Sequence, residues 1–271
     1  MKCDVAMPAG ARVAYAYTGG KPFDATLPCV VFLHGALHDH SVWNLLARWF
    51  AHHGHAVLAP DLPGHGRSGG PALPSIKALS DWTLALLDAA GVRDAALVGH
   101  SMGSLVALEA AARAPERVHR LVMVGTAYPM KVSEALLTTA EQSPLRAIDQ
   151  VNAYMHSGIA AKPSYPGPGN WLHGANRALM RRNQAGGEAQ GNLFHHDFGL
   201  CDRYANGMQA AARVTCPAHL VLGGADQMTA PAGARELAAA LRAAVTTLPC
   251  GHAVMQEAPD ALLQALRSAL V

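Results

Sequence analysis

Ser101 stands between two glycines, where an apolar strand pattern passes directly into a helical pattern. Residues 97–105 read LVGHSMGSL, a strand end followed by G-x-S-x-G and the first turn of a helix. Such a turn forces its central residue into a strained backbone conformation, and Gly99 and Gly103 leave room for it. We therefore predict that Ser101 is a nucleophile at the carboxyl edge of a sheet, with the Met102 N–H beside it to stabilise an oxyanion.

A serine hydroxyl becomes a good nucleophile when a neighbouring base takes its proton. Among the fifteen histidines, His252 is favoured because it follows the last predicted strand, in the run LPCGH, and so falls at the same sheet edge. Asp226 follows the strand before it, in the run GGAD, and is the predicted carboxylate that holds the imidazole in the required tautomer. The alternative acid position, after the strand that ends at Val124, reads GTA and holds no carboxylate. We predict a Ser101, Asp226, His252 triad.

The second oxyanion donor is expected in the loop after the first parallel strand, where residues 30–37 read VVFLHGAL. We predict that the Ala36 N–H is this donor and that Gly35 permits the close approach of the loop. We assign His34 to positioning the loop, and a direct catalytic part is the alternative.

Short apolar runs alternate with longer helical patterns along most of the chain. This alternation is typical of an α/β fold, in which helices cover both faces of a mostly parallel sheet. The predicted strands are Cys3–Met7, Arg12–Tyr17, Cys29–Leu33, Ala56–Ala59, Ala95–Val98, Arg120–Val124, Ala218–Leu222 and Ala244–Leu248. We expect the first two to form an antiparallel pair and the others to bring the triad to one edge.

The stretch 128–213 breaks the alternation, since it contains no clear strand and carries a Pro- and Gly-rich run at 163–169. We therefore predict a core formed by 1–127 and 214–271, with 128–213 as a helical insertion packed over the sheet. The helices expected within it are Glu134–Thr139, Pro144–Met155 and Asn176–Gln184.

Side chains from both parts are candidates for substrate contact. Leu37, His100 and Ala253 neighbour the predicted catalytic residues, while Trp171 and Phe194 of the insertion are candidates for an apolar acyl pocket. Packing within the insertion is the alternative for the two aromatic residues. The further apolar candidates are Met155, Met180 and Phe198.

Composition excludes several function classes. The net charge is +2, from 21 basic and 19 acidic residues in no block of like charge, so we expect neither a nucleic-acid nor a membrane partner. The five cysteines are widely spaced, so we expect reduced thiols. No signal-peptide or membrane-spanning stretch is evident, so we expect a cytoplasmic protein. His195, His196 and Asp197 are adjacent but point in different directions, so they stay unassigned and no metal or cofactor is expected.

These motifs together resemble the α/β-hydrolase superfamily over nearly the whole chain except the insertion. The resemblance rests on HG at 34–35, DLPGHGRS at 61–68, GHSMG at 99–103, Asp226, and GH at 251–252. It implies that the 61–68 turn is structural and that the insertion is a cap that selects substrates. The core is similar to esterases, enol-lactonases and carbon–carbon bond hydrolases that use no cofactor.

Two departures narrow what the resemblance implies. Ser101 stands where haloalkane dehalogenases and epoxide hydrolases carry Asp, and Ala253 stands where many carbon–carbon bond hydrolases carry Trp. We expect a monomeric or homodimeric serine hydrolase that cleaves a small-molecule carboxylic ester through an acyl-enzyme. A lactonase, thioesterase, acyltransferase or carbon–carbon bond hydrolase would use the same residues. A non-catalytic ligand receptor is the alternative from another class.

Overall fold

The computed structural model describes residues 1–8, 10–158, 171–187 and 191–270, which fold around an eight-stranded sheet. The strands are β1 (Lys2–Val5), β2 (Arg12–Tyr17), β3 (Cys29–Leu33), β4 (Ala56–Pro60), β5 (Ala95–His100), β6 (Val118–Val124), β7 (Ala218–Gly223) and β8 (Ala244–Leu248). Their order across the sheet is β1-β2-β4-β3-β5-β6-β7-β8. β1 and β2 pair antiparallel, β2 and β4 pair antiparallel, and the other neighbours pair in parallel. The predicted fold class is confirmed.

The described helices cover both faces of the sheet, except that those between β6 and β7 pack mainly on other helices. They are α1 (Asn44–His52), α2 (Ile76–Ala89), α3 (Met102–Arg113), α4 (Glu134–Gln142), α5 (Pro144–Met155), α6 (Leu172–Gly187), α7 (Leu193–Arg203), α8 (Gly207–Ala211), α9 (Arg235–Leu241), α10 (Val254–Glu257) and α11 (Pro259–Leu270). Ser75 caps α2 by accepting a hydrogen bond from the Ala78 N–H, as expected of serine before a first turn. Across the described ranges, each helix is too short or too polar to span a bilayer.

Every residue of β3 is buried because both faces of this strand are covered. Val31 and Leu33 belong to the apolar layer beneath α2 and α3, whereas Val30 and Phe32 belong to the layer beneath α1 and α11. This split follows the two-residue period of a strand. The central strands are therefore rigid supports for the loops at their carboxyl ends.

Four strands are longer than the sequence predicts, and β1 spans Lys2–Val5 rather than Cys3–Met7. β4 and β7 each gain one residue, Pro60 and Gly223. β5 continues beyond Val98 to His100, and β6 begins at Val118 rather than at Arg120. Both extensions complete the parallel ladder, in which His100 pairs with Val124. Pairing between strands, rather than local apolarity, sets these ends.

The described parts of the stretch between β6 and β7 are helical, α4 to α8. α6 extends beyond the predicted Asn176–Gln184 at both ends, and α7 was not predicted. α7 contacts α3, α4, α5 and α6, while α8 packs against α3 and α9. The Pro- and Gly-rich run at 163–169 lies outside the described residues, and the division of the chain at 128 and 213 stays a prediction.

Candidate active site

Ser101 occupies the sharp turn between β5 and α3. Its backbone has φ 52° and ψ −121°, a left-handed conformation that is rare for a residue with a side chain. A Cβ on Gly99 would lie 2.2 Å from the Gly103 carbonyl oxygen, and one on Gly103 would lie 2.5 Å from the Leu33 carbonyl oxygen. Both glycines are therefore required by close backbone approach, as the motif predicts. The Ser101 N–H donates to the Val124 oxygen at 3.0 Å, which ties the turn to β6.

Asp226 and His252 meet at the carboxyl ends of β7 and β8. The His252 Nδ1 lies 2.8 Å from the Asp226 Oδ2, and both side chains are almost fully buried. Burial raises the pKa of Asp226, but the His252 imidazole and the hydrogen bonds from Thr229 outweigh it and hold the pKa below its ordinary value. Asp226 is thus an ionised acceptor that keeps the proton of the imidazole on Nδ1.

Thr229 is a contact of the predicted acid that we did not predict. Its Oγ1 donates to the Asp226 Oδ2 at 2.7 Å, and the N–H groups of Met228 and Thr229 both donate to Oδ1 at 2.8 Å. This is a local turn in which an aspartate accepts from the backbone two and three residues on. The run DQMT carried that signal, because Asp followed by Thr three residues later favours such a turn.

Ser101 and His252 line the same cavity, which also includes Gly35, Ala36 and His100. Within the described residues, no hydrogen bond joins the Ser101 hydroxyl to His252; in ligand-free enzymes such contacts are often long. The cavity has a volume of about 50 Å³, room for a few waters. The predicted nucleophile and base therefore share one small, buried space.

Of the two predicted oxyanion donors, Ala36 lines this space, and Met102 directly follows Ser101 without lining it. Within the described residues, neither the Ala36 N–H nor the Met102 N–H donates a hydrogen bond, and Met102, the first residue of α3, has no acceptor within its helix. His34 Nδ1 donates to the Gly35 oxygen, and its Nε2 accepts from the Leu62 N–H, both at 2.9 Å. Burial, with the nearby His65, lowers the pKa of His34 to about 4, so the ring that anchors this loop is neutral.

The predicted substrate contacts divide into two groups. His100 lines the cavity, and its Nε2 donates to the His252 carbonyl oxygen at 2.9 Å. Leu37 and Ala253 are buried beside the cavity but do not line it. Phe194 is fully buried behind Phe198, and Trp171 is 60% exposed and away from the cavity. The larger apolar side chains that face the space are Met130, Val132, Val151, Met155, Met180, Phe198 and Met228.

One group of possible metal ligands occurs in the described residues, and it lies outside the cavity. It comprises Asp39, His40 and Asp61. His40 Nδ1 lies 2.7 Å from Asp61 Oδ1, Arg182 donates to Asp39 Oδ2 at 2.6 Å, and Ser41 donates to Asp39 Oδ1. These hydrogen bonds already occupy oxygen and nitrogen atoms of the cluster, so we assign it a structural role that supports the loops.

Asp197, to which the sequence assigns no role, lies in the interior rather than in a metal cluster. It is 1% exposed and contacts His65 and the Leu37 N–H, while the neighbouring His196 faces the Leu73 carbonyl oxygen. The expectation that adjacent residues of this run point in different directions agrees with these contacts. No sequence signal indicated what Asp197 would meet.

Comparisons with known proteins agree with this architecture. The sn-1-specific diacylglycerol lipase of Mus musculus is 40% identical over 102 residues, which are 37% of this chain and 33% of that protein. The pimeloyl-[acyl-carrier protein] methyl ester esterase of Aromatoleum aromaticum is 43% identical over 100 residues, 36% of this chain and 37% of that protein. The matches thus span about a third of the length of these curated relatives.

Similarity to solved structures extends over the whole fold. The enol-lactonase from Burkholderia xenovorans LB400 superposes with a TM-score of 0.83 at 23% identity, covering 98% of this chain and 99% of that one. At this identity the likeness shows the fold alone. A family model described as "Alpha/beta hydrolase family" matches residues 30–265. Because that match runs from β3 into α11, the chain belongs to the α/β hydrolase family.

Proposed function

We propose that this protein is a serine hydrolase that cleaves the carboxylic ester of a small molecule through an acyl-enzyme. The observation that carries the proposal is the 2.8 Å contact between His252 Nδ1 and Asp226 Oδ2, beside a cavity that His252 shares with Ser101. The strained turn at Ser101 adds a nucleophile at the position where the imidazole can act as base. Relatives named as an ester-cleaving esterase and a lipase support the same chemistry.

The first half of the proposed reaction forms the acyl-enzyme. Since Asp226 keeps the proton on His252 Nδ1, the Nε2 lone pair is free to take the proton of the Ser101 hydroxyl as Oγ attacks the ester carbonyl. The carbonyl oxygen becomes an oxyanion, which the N–H groups of Ala36 and Met102 stabilise. The protonated imidazole then gives its proton to the departing alkoxide, and the alcohol leaves.

The second half releases the acid by the same groups. A water molecule takes the place of the alcohol, and His252 removes its proton as the water oxygen attacks the acyl carbonyl. Collapse of the second oxyanion breaks the bond to Ser101 Oγ and returns the proton to that oxygen. The protein itself thus supplies the nucleophile of the first half and the base and oxyanion donors of both halves, while water is the nucleophile of the second.

The cavity favours a compact apolar acyl group. Four methionines line it together with Val132, Val151 and Phe198, and flexible thioether side chains adapt to irregular substrates. We propose that the helices between β6 and β7 act as a cap, because α5, α6 and α7 supply most of these side chains. The five cysteines are free thiols, which suits a cytoplasmic enzyme.

Turnover of p-nitrophenyl esters, from acetate to dodecanoate, tests the proposal. We expect saturable hydrolysis by the wild type and a loss of at least about 10³-fold in kcat for Ser101→Ala. Ser80→Ala is the matched control, because Ser80 is buried in α2 and its hydroxyl donates to the helix backbone. A fluorophosphonate should add one covalent adduct to the wild type and none to Ser101→Ala. Equal turnover by Ser101→Ala and wild type would exclude the mechanism.

The same assay separates the alternatives. Faster turnover of thioesters, lactones or vinylogous diketones than of matched oxygen esters would move the assignment to those substrates, with the triad unchanged. Transfer of the acyl group to added alcohols in preference to water would identify an acyltransferase. Tight binding of a small molecule by both the wild type and Ser101→Ala, without turnover of any substrate, would support a receptor.

A further inference from the structure

The loop that carries the Ala36 N–H has a backbone that must be held in place. Leu37 has φ 57°, in the left-handed region that residues with side chains rarely adopt. Its side chain is fully buried, so the strained residue cannot relax toward solvent. Such conformations persist where the surrounding structure over-determines them. Neighbouring groups must therefore fix the backbone of Leu37.

The group that meets the Leu37 backbone comes from the other side of the cavity. Asp197, on α7, accepts the Leu37 N–H at Oδ2 over 2.8 Å. The same oxygen accepts a hydrogen bond from His65 Nε2 at 2.7 Å. Asp197, Leu37 and His65 are at most 2% exposed. A single carboxylate oxygen thus joins α7, the loop after β3 and the 61–68 turn.

Charge makes this junction stronger than a neutral hydrogen bond. Burial raises the pKa of Asp197, but the His65 imidazole and the Leu37 N–H, with His196, together hold the pKa below its ordinary value. Burial lowers the pKa of His65, but Asp197 outweighs it and raises the pKa above its ordinary value. Both ring nitrogens of His65 also face acceptors, Nδ1 the Pro63 carbonyl oxygen and Nε2 the carboxylate. The contact therefore favours the carboxylate–imidazolium form, whose hydrogen bonds are about twice as strong as neutral ones.

The loop is fixed on both sides of Ala36. On one side, His34 Nε2 accepts the Leu62 N–H; on the other, Asp197 accepts the Leu37 N–H. Only Gly35 and Ala36 stand between these two anchors. Within the described residues, the Ala36 N–H has no acceptor of its own. Its direction is therefore set by the hydrogen bonds at His34, two residues before it, and at Leu37, one residue after it.

We propose that Asp197 is a positioning residue for the oxyanion loop, so that docking of α7 on the core completes the catalytic site. This inference rests on the proposed function, because it assigns the Ala36 N–H to the oxyanion. It gives the helices between β6 and β7 a part in catalysis as well as in covering the substrate.

Three variants test the inference. Asp197→Ala removes the acceptor, whereas Asp197→Asn keeps an amide oxygen that can occupy the place of Oδ2 and accept both hydrogen bonds. Glu109→Ala is the control: Glu109 is 3% exposed, accepts from Tyr204 and Asn206, and does not line the cavity. It removes a buried, hydrogen-bonded carboxylate of the same kind at a distance from the site.

Steady-state kinetics on a p-nitrophenyl ester give the first readout. For Asp197→Ala we expect kcat to fall by about 10²–10³-fold, the effect of losing one oxyanion donor, with KM changed by less than about threefold. Binding of a trifluoromethyl ketone, which forms an oxyanion on Ser101, should weaken by a similar factor. Asp197→Asn should stay within about tenfold of wild type and Glu109→Ala within about threefold. Should Asp197→Ala fail to fold, Asp197→Ser, whose hydroxyl is shorter, takes its place.

Hydrogen exchange of the Leu37 amide gives a readout that needs no turnover. We expect exchange at least about tenfold faster in Asp197→Ala than in wild type or Glu109→Ala, since the amide loses its acceptor. Unchanged kcat in folded Asp197→Ala, or equal losses in Asp197→Ala and Glu109→Ala, would overturn the inference. If the wild type shows no Ser101-dependent turnover, the proposed function fails, and the exchange rate alone then decides whether Asp197 holds the loop.

Discussion

Replacing Asp226 by asparagine should impair catalysis through the position of one proton. The carboxylate has two distinct oxygens: Oδ1 accepts two backbone N–H groups, and Oδ2 faces His252 Nδ1. In Asp226→Asn, the amide oxygen must take the Oδ1 position, because an NH₂ group there would face two donors. The NH₂ group is then directed at His252 and forces Nδ1 to become an acceptor. The proton of the neutral imidazole moves to Nε2, which can no longer take the Ser101 proton.

The size of the effect follows from this change of tautomer. In serine proteases of the chymotrypsin type, the corresponding substitution lowers kcat by about 10⁴-fold. For Asp226→Asn we expect a fall of about 10³–10⁴-fold, which corresponds to about 4–5.5 kcal/mol in the activation free energy. KM should change little, because Asp226 does not line the cavity. Thr229→Val removes the hydroxyl that also donates to Oδ2 and leaves the carboxylate, so its kcat should fall by only about tenfold.

The assay is steady-state hydrolysis of the best p-nitrophenyl ester by wild type, Asp226→Asn and Thr229→Val. Nitrogen-15 NMR of the imidazole should report the proton on Nδ1 of His252 in the wild type and on Nε2 in Asp226→Asn. Thermal unfolding controls for loss of structure. A kcat for folded Asp226→Asn within about tenfold of wild type, or a proton still on Nδ1, would refute the reasoning.

Three further predictions concern stability and the acyl pocket. The pKa of His34 is lowered to about 4 in the folded protein, against about 6.5 in the unfolded chain. Between these two pH values only the unfolded state binds the proton, so the free energy of unfolding falls by about 1.4 kcal/mol for each unit that the pH is lowered. Urea titrations of wild type and His34→Gln check this; equal slopes would contradict it. Gly103→Ala should cost more than about 3 kcal/mol of unfolding free energy, since its Cβ meets backbone oxygens at 2.5 Å, whereas exposed Gly186→Ala, with open space, should gain up to about 1 kcal/mol. Similar urea midpoints for both would be inconsistent with the turn geometry. Met180→Ala enlarges the cavity and should raise the octanoate-to-butyrate ratio of kcat/KM by about tenfold or more; an unchanged ratio would place the acyl chain elsewhere.

Local patterns were sufficient for the sheet and for the turn at Ser101. A strand, G-x-S-x-G and a helix are consecutive, so the conformation they adopt depends mainly on neighbours in the chain. The position of His252 and Asp226 at one edge of the sheet was also predictable, because each follows a strand and parallel strands end at the same edge. Where the prediction of strand ends was short, at His100 and Val118, pairing with the neighbouring strand extended the element.

Local patterns did not determine which side chains of the helices between β6 and β7 face the cavity. Phe194 and Phe198 lie one turn apart on α7 with stacked rings, yet only Phe198 lines the space. Apolar residues on one face of a helix look alike in sequence, and the angle at which the helix docks decides which of them reaches a cavity. Trp171, which precedes α6, is exposed.

Amino-acid order alone thus determined the α/β sheet, the turn that presents Ser101, and the strand ends that carry Asp226 and His252. Tertiary structure decided how the site is enclosed and held. Asp197 meets the Leu37 N–H across 160 positions of the chain, and His65 across 132. Contacts over such separations depend on how whole helices pack, which no short stretch of residues encodes.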